Sequence, residues 1–225
     1  MKTLNGLPAP QLDLNPLDFQ TENTNGGIEN PQAEVVAFHN AFQLFAETKK
    51  LTRLSVLEVG CNYGRVSERL ANHPLVSDFL GIDIHPACEA MFKENHKGSP
   101  NMRFLLMNFF AFTEDDALFD VIVVPFTTFH LFDFQHQKQF IEKSQTLAQC
   151  VILDLLPNRT ERMIWAGEEF NNGYSIPAYL DTNEMMSSYL LPGSQCSTSH
   201  YPFCKATNSE GELVDLPHEL FMYWK

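Results

Sequence analysis

The sequence predicts an α/β fold: a seven-stranded, mostly parallel sheet flanked by helices, whose last two strands run back as a carboxyl-terminal β-hairpin. Three observations predict it. After Lys49-Lys50 short apolar runs alternate with helix-like segments, the signature of βαβ units. The first of these runs stops at glycines and opens a helix. Two β-like runs joined by a polar loop holding Asn208 and Gly211 end the chain.

Each element follows from local pattern. Residues 1–30 are rich in Asn, Pro and Gly, with Asn25-Gly26-Gly27 as a turn, and read as an amino-terminal arm that could act as a lid carrying Phe19. A helix begins at Asn30-Pro31, with Asn30 as N-cap and proline at the first helical position; Val35, Phe38, Phe42 and Phe45 form its apolar stripe. Five parallel strands are read at Leu54–Val59, Phe79–Ile84, Arg103–Met107, Val121–Val124 and Val151–Leu155. The helices between them are read at Arg65–Ala71, Pro86–Asn95 and Gln135–Ala148, with a turn at Thr113–Ala117.

Residues 157–180 break the rhythm and read as an insertion after the fifth strand, containing one helix. Asp181-Thr182-Asn183-Glu184 has capping-box spacing, so a sixth helix is expected through Met185, Met186, Tyr189 and Leu190, closed by Pro192-Gly193. The runs Cys196–Phe203 and Glu219–Trp224 supply the hairpin. At 225 residues the whole chain, 1–225, reads as a single domain.

Composition narrows the function. A formal charge of −13 would repel phosphate backbones, so no nucleic-acid partner is expected. The longest apolar runs, Val121–Phe126 and Cys150–Leu156, fall well short of the roughly 20 residues that cross a bilayer, so no membrane partner is expected. Met1–Pro10 has no apolar h-region, and the five cysteines are odd in number and lack a CxxC pair; reduced thiols and a cytoplasmic location follow.

The segment Val56-Leu57-Glu58-Val59-Gly60-Cys61-Asn62-Tyr63-Gly64-Arg65 carries the chemical argument. A ligand approaching the carboxyl end of a parallel strand needs backbone without a Cβ, and the next helix offers free N–H groups. Asn62 is one of the few non-glycine types that tolerates a left-handed turn. Asp83 ends the following strand, where an acid can accept hydrogen bonds from both hydroxyls of a ribose. A dinucleotide site would need G-x-G-x-x-G, whereas the spacing here is Gly60-x-x-x-Gly64.

Leu57-Glu58-Val59-Gly60-Cys61-Asn62-Tyr63-Gly64 resembles the E-x-G-x-G-x-G first motif of class I S-adenosylmethionine-dependent methyltransferases, with Asn in place of the central glycine. Gly81-Ile82-Asp83-Ile84 resembles their second motif, whose acid holds the ribose. The resemblance implies a Rossmann-like fold and S-adenosyl-L-methionine as cofactor, bound by Glu58, Gly60, Cys61, Asn62, Tyr63, Gly64, Asp83 and Ile84. Met107-Asn108-Phe109-Phe110 falls where the family often has Gly-Asp, and implies Asn108 at the adenine amino group with Phe109 against the ring. The fourth strand resembles the one that ends beside the methionine part of the cofactor, which places Pro125 there. No Asn-Pro-Pro-Tyr follows it, against methylation of nucleobase or glutamine amino groups.

Methyl transfer needs positioning, exclusion of water and, for some acceptors, removal of a proton. His130 is the candidate catalytic base, because Phe126-Thr127-Thr128-Phe129-His130 follows the fourth strand directly and an ordinary imidazole titrates near neutrality. Phe109, Phe110, Phe126 and Phe129 are candidates for dry aromatic walls. Asp154 and Asn158 sit where metal-dependent relatives carry ligands, but the fourth strand ends in Val124-Pro125 without an acidic partner, so no metal is expected. The acceptor is read as a small molecule methylated on O or N. A protein acceptor, or a cofactor-binding protein of this fold that does not methylate, are the alternatives.

Overall fold

The computed structural model describes residues 31–113, 118–125, 128–132, 134–155, 163–165, 175–176, 189–207 and 210–225. The arm, residues 1–30, lies outside the described residues, as do most of the 157–180 insertion and positions 181–188 of the sixth predicted helix.

Helix α1 (Pro31–Lys49) presents the predicted stripe to the sheet: Phe38, Phe42 and Phe45 are completely buried, and Val35 nearly so. Beneath it run β1 (Leu54–Val59), β2 (Val76–Asp83), β3 (Met102–Leu106), β4 (Phe119–Val124) and β5 (Ala148–Leu155), all parallel. Helices α2 (Ser67–Ala71), α3 (Pro86–Asn95) and α4 (Phe134–Leu147) make the crossovers. β9 (Leu213–Trp224) inserts antiparallel between β5 and β8 (Gln195–Thr207), so the seven predicted strands lie in the order β3-β2-β1-β4-β5-β9-β8.

Two differences concern the insertion and the elbow. The helix expected in 157–180 lies outside the described residues, among which the structure has two short strands that the sequence reading did not expect, β6 (Met163–Trp165) and β7 (Ser175–Ile176). They extend the sheet beyond β8, and pairing of Ile164 and Trp165 with Thr207 and Ala206 covers an edge that would otherwise expose unpaired backbone groups. α2 begins at Ser67 rather than Arg65, because Asn62 (φ 51°) and Gly64 (φ 89°) hold the preceding turn in left-handed backbone that no helix can incorporate.

The central strands are buried on both faces, as parallel strands with helices above and below require. Alternation of period two sorts them. Val56, Val121, Val123, Ile152 and Met222 meet the phenylalanines of α1, while Leu57, Val59, Ile122, Val124, Leu153 and Tyr223 meet Phe109, Phe129, Phe140 and Ile141 on the other face. The second layer is aromatic: Phe140 sits 4.4 Å from Phe109 and 5.7 Å from both Phe129 and Phe132, ring centre to ring centre. The registers Glu58↔Gly81 and Glu58↔Val123 bring the carboxyl ends of β2, β1 and β4 side by side, and the candidate site lies there.

Candidate functional site

β1 ends in an elbow fastened to β2. The N–H groups of Gly60 and Cys61 both donate to the Ile82 carbonyl, at 2.9 and 3.1 Å. Gly60 (φ 74°), Asn62 (φ 51°) and Gly64 (φ 89°) all adopt left-handed backbone, and the Gly64 N–H closes the turn on the Cys61 carbonyl at 2.9 Å. Asn62 thus takes the left-handed conformation its side chain permits. The glycines are demanded by space as well as by φ. A Cβ on Gly60 would stand 2.4 Å from Thr128 Cγ2, and one on Gly64 would stand 2.1 Å from His96 Nε2. Gly64→Ala should therefore destabilise the fold by about 1–3 kcal/mol from backbone strain alone, with more from the clash. Thermal unfolding of Gly64→Ala and of Gly64→Ala/His96→Ala separates the two, since only the clash is relieved in the double variant.

Asp83 joins the elbow to the next loop. Its Oδ2 accepts the Asn62 N–H and its Oδ1 accepts the His85 N–H, both at 2.9 Å. His85 is itself the N-cap of α3: its backbone is extended, its Nδ1 accepts from the Ala87 N–H at 3.2 Å, and Pro86 starts the helix. Each carboxylate oxygen retains lone-pair capacity for a further donor. Ile84 is half-buried beside it, and the Met107 N–H donates to the Asp83 carbonyl at 2.9 Å, which sets Asn108 next to the same site.

Asn108 and Phe109 are committed locally. Asn108 caps the short turn Phe109–Ala111 by accepting the Phe110 N–H on Oδ1 at 3.0 Å, and Phe109 is buried against Phe140 with Lys143 Nζ 5.9 Å above its ring. Pro125 is buried at the end of β4 and its carbonyl accepts the Thr128 N–H at 3.3 Å. His130 falls in the turn Thr128–Leu131 just beyond, while Phe126 and Thr127 lie outside the described residues.

Residues 56–149, which contain the elbow, Asp83, Asn108 and Pro125, match the family model described as a methyltransferase domain. Over that stretch the chain is similar to a methyltransferase domain. Its fold is shared by solved structures of low sequence identity. The N-methyltransferase NodS from Bradyrhizobium japonicum WM9 superposes with a TM-score of 0.57 at 15% identity, covering 87% of this chain and 98% of that one. Magnesium protoporphyrin IX methyltransferase (ChlM) from Synechocystis PCC 6803, solved with bound SAM, gives 0.58 at 13%, covering 92% and 88%. TehB from Haemophilus influenzae gives 0.52 at 13%, covering 82% and 62%. No curated protein matches the chain by sequence.

The floor of the elbow is ionisable and buried. Glu58 is 2% exposed and points to the α1 face, where Ser67 Oγ donates to its Oε2. Burial pushes its carboxyl up to about 8, against the pull of Ser67 and Arg65, so it holds its proton near neutrality. Arg65 forks onto Glu34 at 2.6 and 2.7 Å, and Glu34 is fully buried. Farther along the same face His218 Nδ1 meets Asp154 Oδ1 at 2.7 Å, both wholly buried, which makes Asp154 half of a β5–β9 pair. Among the described residues no cluster of His, Cys, Asp and Glu could hold a metal, and no helix is long and apolar enough to cross a membrane. Cys61, Cys88 and Cys150 are buried free thiols, with Cys88 pushed up to about 12 by burial and Asp83.

Gly60, Cys61, Asn62, Gly64 and Asp83 are thus brought together by direct backbone contacts, and Tyr63 lies in the same turn, its carbonyl accepting Asn95 Nδ2 at 3.3 Å. Thr128, His85, His96 and the Glu34–Arg65 pair do not stand out in the sequence. A signal existed for Glu34, which stands four residues before Phe38 on the apolar stripe, where an acid needs a buried partner. Thr128 offered none.

Proposed function

We propose that this chain is an S-adenosylmethionine-dependent methyltransferase that transfers the methyl group to an oxygen or nitrogen of a small molecule. The observation that carries the cofactor half is the Asp83 carboxylate, held by the Asn62 and His85 N–H groups at the carboxyl end of β2 beside the left-handed elbow. Those residues fit the group. Asp83 and Ile84 take its ribose, Gly60, Cys61, Asn62, Tyr63 and Gly64 its amino-acid end, and Pro125 the methionine chain. Asn108 takes the adenine edge through the second lone pair of Oδ1, with Phe109 as the wall behind it. Glu58 acts from below, by supporting the elbow.

S-adenosylmethionine supplies an electrophilic methyl on a sulfonium. The protein's part is to align the acceptor atom with it, keep water out and accept a proton where the acceptor carries one. His130, in the turn after β4, is the residue we assign to the last. The formal charge of −13 disfavours a polyanionic acceptor and supports a small molecule. We read the chain as one domain over 1–225, with residues 1–30 as arm or lid and 157–180 as an insertion near the acceptor, and place it in the cytoplasm, where free thiols stay reduced.

The test is transfer of labelled methyl from S-adenosylmethionine into fractions of a cell extract. Label in the small-molecule fraction supports the proposal; label only in protein overturns the acceptor, and binding without transfer to anything overturns the activity. Once an acceptor is in hand, His130→Ala should lower kcat about 100-fold or more while changing the cofactor Kd by less than about twofold. Equal losses in both would remove His130 from catalysis.

A further inference from the structure

The elbow is tethered unevenly. At its β1 end the Gly60, Cys61 and Asn62 N–H groups are all bonded to β2. At its far end a single side-chain bond from α3, Asn95 Nδ2 to the Tyr63 carbonyl at 3.3 Å, precedes Gly64, whose φ of 89° lies in a region that glycine enters freely but is under no compulsion to hold. The next residue in the chain is Arg65, and its guanidinium makes two parallel bonds, 2.6 and 2.7 Å, to Glu34 in the first turn of α1. Such a planar fork fixes orientation as well as distance.

Glu34 is an unusual place to keep a charge. It is 0% exposed, on a helix held to the sheet by Phe38, Phe42 and Phe45, and a buried carboxylate is costly where apolar side chains of the same volume would serve at least as well for stability. It also lies outside residues 56–149, so the tether comes from a part of the chain that the family match does not include. Tyr201 and Glu58 face the same pair.

We infer that Glu34 and Arg65 are positioning residues for the cofactor: α1 acts through Arg65 to hold the Gly64 end of the elbow in the shape that receives the amino-acid end of the ligand. The inference rests on the proposed cofactor assignment. It distinguishes two parts of one ligand, because the Asp83 clasp on the ribose is anchored from β2 and does not depend on α1.

The experiment is calorimetric titration of the full-length protein with S-adenosylhomocysteine and, separately, with methylthioadenosine, which shares the adenosine but lacks the amino-acid end. Arg65→Lys keeps the charge and removes the fork; Glu34→Met/Arg65→Met removes both charges and provides a folded variant should Arg65→Lys unfold the chain. The expected result is a Kd for S-adenosylhomocysteine raised at least tenfold, with that for methylthioadenosine changed less than threefold. Equal weakening of both ligands, or no weakening of either, in a folded variant overturns the positioning role. A wild-type protein that binds neither ligand overturns the cofactor assignment itself, and the inference with it.

Discussion

Asp83→Ala is expected to weaken S-adenosylmethionine binding by at least about 100-fold while leaving the sheet folded. Two separate losses combine. Hydrogen bonds from ribose hydroxyls to a carboxylate are of the charged kind, worth about 1.5–3 kcal/mol each, and two of them correspond to a factor of roughly 100 to 10,000 in Kd. The same substitution removes the acceptor for the Asn62 and His85 N–H groups, so the elbow and the start of α3 lose their common anchor. Asp83→Asn tests this second loss. An amide has one acceptor oxygen and one NH2, so either the Asn62 or the His85 N–H must face a donor, and affinity should fall nearly as far although the side chain keeps its shape. Calorimetry with S-adenosylhomocysteine measures both variants, and a Kd within threefold of wild type for Asp83→Ala would overturn the ribose assignment.

The parts of this site that are legible in the sequence are those in which one residue type answers one local demand. Gly60 and Gly64 are glycines because φ is positive and because Thr128 and His96 stand where their Cβ atoms would be; the first reason can be read from a strand that stops at glycines, the second only from the fold. The stripe of α1 and the alternation of β1, β4 and β5 are legible because burial repeats with the period of the element. β6 and β7 are not, because strands of three and two residues are defined by the edge they pair with, and Met163–Trp165 finds its partner some forty residues later in β8. Glu58 shows the same limit within the site. Its place in the motif resemblance suggests contact with ligand, whereas strand parity turns its side chain to the α1 face, where Ser67 and the Arg65–Glu34 pair surround it. A residue's neighbours across the sheet, which decide its protonation, are absent from any window of sequence.

That protonation makes a measurable difference to stability. Glu58 has its carboxyl raised to about 8 in the folded protein from an ordinary value of 4.5, chiefly by burial. Below the ordinary value both folded and unfolded chains carry the proton, and the favourable contribution is fully present. Between there and about 8 the unfolded chain ionises while the folded one does not, so stability falls as pH rises, by about 1.4 kcal/mol per unit for a single group, and levels off above the folded value. The total is of the order of a few kcal/mol. Glu58→Gln keeps the length and an acceptor for Ser67 but cannot ionise. Relative to wild type it should be neutral or slightly destabilising near pH 5 and stabilising by a few kcal/mol near pH 8.5. Urea unfolding of both proteins across that range isolates Glu58, because the pH dependence of every distant group is common to the two and cancels in the difference. Stability curves that run parallel would mean that Glu58 is ionised in the fold. Arg65 would then be shared between two carboxylates, Glu34 and Glu58, and its fork could no longer be devoted to α1. The pH dependence of one buried acid and the tether on the cofactor elbow are therefore consequences of the same arrangement of charge.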